Sequence, residues 1–219
     1  MADNLIHFLV TVSIWAIPMV LAFTVHEVTH GFVARRYGDD TAERLGRLTL
    51  NPLKHIDPVG TVAIPSLALL LNIPVIGWAK PVPVNQSKLR DPRADMAKVA
   101  AAGPASNLVQ ALLWGLLLAA LQRLGLGHVS WLLAMCSAGI LVNVLFAVFN
   151  MLPIPPLDGS RVLHSFVSPG FARVLDRLEP FGFFVLFGLL YAGVLNPVLG
   201  PILAAVQRMI VALTGVETG

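Results

Sequence analysis

The chain has 219 residues, of which 56% are A, V, I, L, M, F, W, Y or C and only 12% are charged, with a mean hydropathy of +0.77. A water-soluble domain carries about 25% charged residues to coat its core, so this composition excludes a soluble enzyme, a nucleic-acid binder and a disordered chain, and makes lipid the solvent. The net charge of +3 comes from positives gathered in a few short loops, which report membrane orientation rather than a phosphate-binding surface.

From the N-terminus, residues 4–25 contain no Asp, Glu, Lys or Arg, and a helix needs about 20 such residues to span a bilayer. A cleavable signal peptide would bring a basic leader and a small-residue cleavage site. Asp3 is the sole early charge, so the stretch is expected to be a retained first span. Further apolar stretches cover residues 61–78, 99–121, 131–152, 181–195 and 198–213. The first of these contains Pro65 and Pro74 and is expected to be broken or re-entrant, with its backbone shielded by protein or water. Two loops look extended: Gly46-Arg-Leu-Thr-Leu-Asn-Pro52 alternates polar with apolar residues, and Lys80-Pro-Val-Pro-Val-Asn85 carries prolines at alternate positions. The single cysteine, Cys136, lies in an apolar run and excludes a disulfide framework.

Lys and Arg form three clusters: Arg35, Arg36, Arg44, Arg47 and Lys54; then Lys80, Lys88, Arg90, Arg93 and Lys98; then Arg161, Arg173 and Arg177. The positive-inside rule assigns all three to the cytoplasmic face, which requires residues 61–78 to enter and leave on one side. The expected fold class is an all-α polytopic membrane protein, with about five to six transmembrane helices and short membrane-associated β or re-entrant segments. No repeat or appended module is visible, and residues 1–219 read as a single domain in a cell membrane.

The informative motif is His26-Glu27-Val28-Thr29-His30 at the inner end of the first span. Residues i and i+4 share a helix face, so both imidazoles can hold one ion. Glu27 points about 100° away, placed to hold a water without ligating the metal. With this chain's His and Glu content, about 0.003 such matches are expected by chance. At 1.5 Å per residue, His30 lies ~8 Å and His26 ~14 Å below Arg35, and a glutamate at that depth is costly unless it has a task. Zinc suits imidazole and carboxylate ligands, and a catalytic zinc needs three protein ligands. For the third, the residues alone leave open Asp158, His55, Asp57 and His164. Asp158 ends a proline-rich break after the fourth span and is favoured, although an Asp before a helix also serves as an N-cap. His55 and Asp57 read better as a loop turn before Pro58. Asn143 and Asn150, amides in the fourth span, are candidates to stabilise a developing negative charge or to bond between helices. Asn107 is expected to serve close helix packing with Gly103 and Ala105.

At this point the chain resembles the site-2 protease family of intramembrane zinc metalloproteases, in its short form without PDZ-like or CBS-like inserts. The likeness rests on His26-Glu-Val-Thr-His-Gly31, Asn51-Pro-Leu-Lys-His-Ile-Asp-Pro-Val-Gly60, Ala102-Gly-Pro-Ala-Ser-Asn107 and Asn150-Met-Leu-Pro-Ile-Pro-Pro-Leu-Asp-Gly159, in that order. The resemblance implies that His26, His30 and Asp158 ligate Zn2+ and that Glu27 is the catalytic base. It also implies hydrolysis of peptide bonds in or near transmembrane segments of membrane proteins, with the active site toward the cytoplasm. Expected partners are a membrane-protein or membrane-peptide substrate and the bilayer, without nucleic acid; the oligomeric state is not legible. Because a substrate helix hides its carbonyls, the extended segments around residues 48–50 and 82–84 are expected to receive an unwound strand. The alternative from another class is a membrane metal transporter or sensor using the same His, Glu and Asp cluster.

Overall fold

The computed structural model describes residues 2–70 and 80–216. Among them the chain forms nine α-helices: α1 (Ala2–Arg36), α2 (Thr41–Arg44), α3 (Ile64–Leu70), α4 (Pro92–Arg123), α5 (Ser130–Asn150), α6 (Asp158–Phe166), α7 (Pro169–Leu178), α8 (Gly182–Tyr191) and α9 (Asn196–Thr214). This is an all-α membrane protein. Four helical segments are long and apolar enough to cross a bilayer: Leu9–Arg36 of α1, and α4, α5 and α9.

Two sequence expectations change at this level. The apolar run at 181–195 yields only the ten-residue α8, which at 1.5 Å per residue covers about half of a ~30 Å hydrocarbon core. The run at 61–78 lies partly outside the described residues; its described part is a wide turn, Pro58–Ala63, leading into α3. Against the five to six spans expected, four candidate spans lie among the described residues. The short β segments are also absent there, because the proline-rich strap at 80–85 builds no ladder. Pro81 and Pro83 remove alternate donors, while the Lys80 amide goes to the His55 carbonyl at 2.8 Å and the Val82 amide to a side chain at 2.7 Å.

α4, α5 and α9 pack around a continuous apolar core that includes Ala111 of α4, Cys136 and Val144 of α5, and Ile210 of α9, and α1 packs against α4 and α5. α4 begins on a local cap. Asp91 Oδ1 accepts the amides of Arg93 and Ala94 at 3.1 and 3.0 Å, and Pro92 occupies the first turn, where its missing N–H costs nothing. Because α1 runs toward its arginines and α4 runs away from its own, the two are antiparallel.

The three basic clusters meet at one end of the bundle. Asp40 pairs with Arg44 at 2.5 Å and with Lys88 at 3.0 Å, and the Arg90 amide donates to the Tyr37 carbonyl at 3.0 Å. Arg93 Nη2 donates to the carbonyl of His164 at 3.1 Å and to that of Val167. The loops after α1, before α4 and after α5 thus share one side, as the charge pattern requires.

Candidate metal centre

The centre is assembled by α1, α4 and α6. His26 and His30, one helical turn apart on α1, bring their Nε2 atoms to 3.0 Å from each other. Asp158 Oδ2 stands 3.1 Å from His26 Nε2 and 3.3 Å from His30 Nε2. Among the described residues these three form the group that could hold a metal ion. Both imidazoles are buried, 6% and 8% exposed.

The hydrogen bonds behind the rings decide what the triangle is for. Asn107 Nδ2 donates to the Ala22 carbonyl and to Asn143 Oδ1, at 3.1 and 2.9 Å, so its Oδ1 is the atom facing His26 Nδ1 at 2.6 Å. An amide oxygen only accepts, which puts the proton on Nδ1 of His26. The same logic holds for His30, whose Nδ1 lies 2.7 Å from the Val99 carbonyl oxygen. In the neutral, metal-binding form of the rings both Nε2 atoms therefore carry lone pairs, and neither can donate to the other. Asp158 Oδ2 is buried and has no hydrogen-bond partner. Three lone-pair atoms thus converge with no donor among them, an arrangement that is repulsive unless a cation sits between them. A tetrahedral ion bonded at about 2.0–2.2 Å needs ligand separations of about 3.3–3.6 Å, a few tenths of an ångström beyond the edges found. The residues present fit zinc.

Asp158 opens α6 and does not cap it. The cap position belongs to Leu157, and no side chain bonds the first-turn amides. The choice the sequence left open between ligand and cap is therefore decided by geometry in favour of a carboxylate free to face the imidazoles. Gly159 makes this entry possible, since a Cβ there would collide with the backbone carbonyls of Met151 and Leu152 at the end of α5. At the other end of α6, Arg93 takes the His164 and Val167 carbonyls, and Ser165 Oγ donates to the Arg93 carbonyl at 2.6 Å.

Glu27 lies beside the triangle. Its Oε2 accepts the Val82 amide at 2.7 Å, and it lines a cleft of about 170 Å³ together with His26, His30, Asp158, Val82 and Asn150. The two asparagines separate. Asn150 reaches the cleft, with one amide hydrogen given to the Phe146 carbonyl at 3.0 Å. Asn143 is fully buried behind the imidazoles, its Nδ2 donating to the Gly139 carbonyl at 2.9 Å and its Oδ1 accepting from Asn107. His55 is wholly buried, with Nε2 on the Thr49 carbonyl at 2.9 Å. Asp57 Oδ1 takes the Val59 and Gly60 amides at 2.9 and 2.7 Å. His164 faces Asp176 at 3.3 Å. None of these three joins the triangle.

Two residues of α4 escape a reading by motif. Asn107 was expected to serve packing and instead orients His26; the available signal was that an amide inside a membrane span needs a polar partner. Gly103 touches both rings, since a Cβ there would meet His30 Nε2 and come within 2.7 Å of His26 Cε1. Its spacing of four from Asn107 places both on one face of α4.

Comparison with known proteins agrees with this geometry. The model of "Peptidase family M50" matches residues 121–190, a range that holds Asp158. A Bacillus subtilis protein named as a candidate zinc metalloprotease, YwhC, is 38% identical over 205 residues, covering 90% of this chain and 89% of its own. Fewer residues fall outside that alignment than precede His26, so the histidine pair and Asp158 both lie within it. The Rip2 proteins of Mycolicibacterium smegmatis and Mycobacterium tuberculosis, named likewise, are 34% and 32% identical, each covering 86% of this chain and 69% of theirs. No solved structure matches the chain.

Proposed function

This chain belongs to peptidase family M50, and from that membership we propose how its residues divide the work of an intramembrane zinc metalloprotease. The activity and the metal follow from the family; the roles of individual side chains are our reading. One observation carries it: three lone-pair atoms converge in a buried site, with both ring Nδ1 atoms already committed elsewhere.

His26, His30 and Asp158 would hold the zinc. When bound, zinc supplies Lewis acidity, bringing the pKa of water toward ~7 and polarising the scissile carbonyl. Glu27 takes the proton from the attacking water and returns it to the leaving amine. The Val82 amide holds Oε2 of Glu27, leaving the other carboxylate oxygen for that transfer. The second amide hydrogen of Asn150 is available to the developing oxyanion. Asn143 acts at one remove, holding Asn107, which in turn holds His26.

The substrate is a transmembrane or near-membrane segment of another protein, unwound so that a carbonyl is exposed. Val82 and Val84, which line the cleft, give it an extended backbone to lie along. Replacing Val84 with proline should lower cleavage and leave zinc content unchanged. The positive-inside rule puts the end bearing the three basic clusters, and with it the cleft, on the cytoplasmic side of the cell membrane. Cysteines placed at Arg44 and Arg90 should label from that side only.

The decisive experiment measures zinc stoichiometry and cleavage of a model transmembrane substrate for the parent, Glu27→Gln and Asp158→Ala. The expected result is zinc retained and cleavage lost in Glu27→Gln, with both lost in Asp158→Ala. A Glu27→Gln protein that still cuts would remove Glu27 from its role. Nothing in the relatives favours a metal transporter, and the same variant tests it, because a transit site would keep flux without a base.

A further inference from the structure

α7 uses only part of its apolar surface against the bundle. At 100° per residue, Val174, Leu178, Phe171, Leu175 and Ala172 form one continuous arc, while Asp176, Arg173 and Arg177 occupy the remainder. Ala172 and Leu175 are buried at 5% and 7% exposure. Phe171, Val174 and Leu178 belong to the same arc yet are 49%, 46% and 43% exposed. Asp176, on the water-exposed side of the arc, faces His164 at 3.3 Å with its side chain 60% exposed. Arg177 borders the exposed apolar strip with Arg173 next to it, and among the described residues neither arginine pairs with a carboxylate.

The level of α7 along the bundle is set independently. Val167, two residues before α7, gives its carbonyl to Arg93 in the first turn of α4, a helix with the length and hydropathy of a membrane span whose apolar stretch begins at Val99, about 9 Å further along. α7 therefore starts level with the charged first turns of α4, which the composition assigns to the headgroups. It is followed by α8, an apolar helix whose Phe184 is 73% exposed. A ten-residue helix with one apolar strip bordered by unpaired arginines, at headgroup level, has the form of an interfacial helix.

We propose that α7 is a membrane anchor, with Phe171, Val174 and Leu178 seated at the acyl boundary and Arg173 and Arg177 bound to anionic phospholipid headgroups. Free arginine charge beside the strip selects an anionic lipid surface over an apolar protein face. The anchor has a consequence for catalysis. Leu175, Asp176 and Glu179 line a second cleft of about 210 Å³ that shares Val84, Met96 and Arg161 with the metal cleft. Lipid contact on the outer side of α7 thus sets one wall of the approach to the centre.

The test uses full-length protein in phosphatidylcholine vesicles with and without phosphatidylglycerol. Nitroxides are attached at Val174→Cys or Asp176→Cys, in a Cys136→Ala background, and zinc content serves as the check on folding. The label at 174 should lie about 5–10 Å below the phosphates, rich in oxygen collisions and poor in collisions with a water-soluble nickel chelate; the label at 176 should show the reverse. Phosphatidylglycerol should deepen the label at 174, and Arg173→Gln with Arg177→Gln should abolish that response with zinc content unchanged. Three outcomes would overturn the proposal: equal water exposure at 174 and 176, a depth at 174 indifferent to lipid charge, or shielding of 174 from both reagents, the last showing that a protein surface covers it.

Discussion

The metal centre and the basic collar at the end of the bundle are both built from polar groups, but they are held by different forces. At the centre, His26, His30, Asn107 and Asn143 are buried, and each hydrogen bond replaces one that lipid cannot supply. In the collar, Asp40, Arg44 and Lys88 are solvated, and their pairs are screened by water and salt. Equal numbers of contacts therefore carry unequal weight, and a sequence count of charged residues is blind to the difference.

That contrast can be broken most severely at Gly103. Gly103→Val puts a side chain where the two imidazoles stand, so zinc affinity should fall by more than about 100-fold, beyond what loss of a supporting residue causes. Equilibrium dialysis against a zinc chelator would show it, and parent-like affinity would mean that the rings move aside. Next comes Asn107→Leu, which removes the partner of His26 Nδ1 and keeps the branched side-chain shape. A loss of about 10–100-fold in zinc affinity is expected, with the absorption of a cobalt-substituted sample shifted because one imidazole has lost its fixed orientation. An unchanged spectrum would leave Asn107 as packing only.

Arg93→Met sharpens the comparison from between the two regions, because Arg93 begins in the collar and acts on the helix that carries Asp158. Losing charged hydrogen bonds to the end of α6 should cost about 1.5–3 kcal/mol of stability, with zinc affinity reduced less than in Asn107→Leu; thermal unfolding in detergent with and without zinc would separate the two effects. The smallest effect belongs to Asp40→Asn, with no measurable change in melting temperature at neutral pH and physiological salt, where the pairs are screened. The Lys88 ammonium, with Arg44 beside it, holds the Asp40 carboxyl below its ordinary range. Its contribution is therefore complete above that range and disappears as the pH falls through the lowered value. A melting temperature of Asp40→Asn that matches the parent at acidic pH and differs slightly at neutral pH and low salt is the expected profile.

How far the site was legible in the sequence depends on how local each relation is. His26 and His30 share a face because helical periodicity is a property of neighbouring residues, so the pair could be read directly. Asp158 is remote in the chain, and residues alone allowed both a ligand and a cap; the backbone of α6, entered through Leu157 with no side-chain cap, distinguishes them. Asn107 and Gly103 had no periodic signature of their function, because what they do is fixed by α1 lying antiparallel beside α4. The strap at 80–85 alternates like a strand, yet its amides are taken by His55 and Glu27 before any ladder can form.

The sequence by itself determined the solvent of this protein, its helical class and the face on which two imidazoles stand, because transfer into lipid and helical pitch depend only on residue type and spacing. Tertiary structure alone decided that Asp158 faces that pair, that Asn107 and the Val99 carbonyl orient it, and that α8 is too short to cross. These are relations between segments distant in the chain, set by which helices pack together, and packing is a property of the whole fold rather than of any window of sequence.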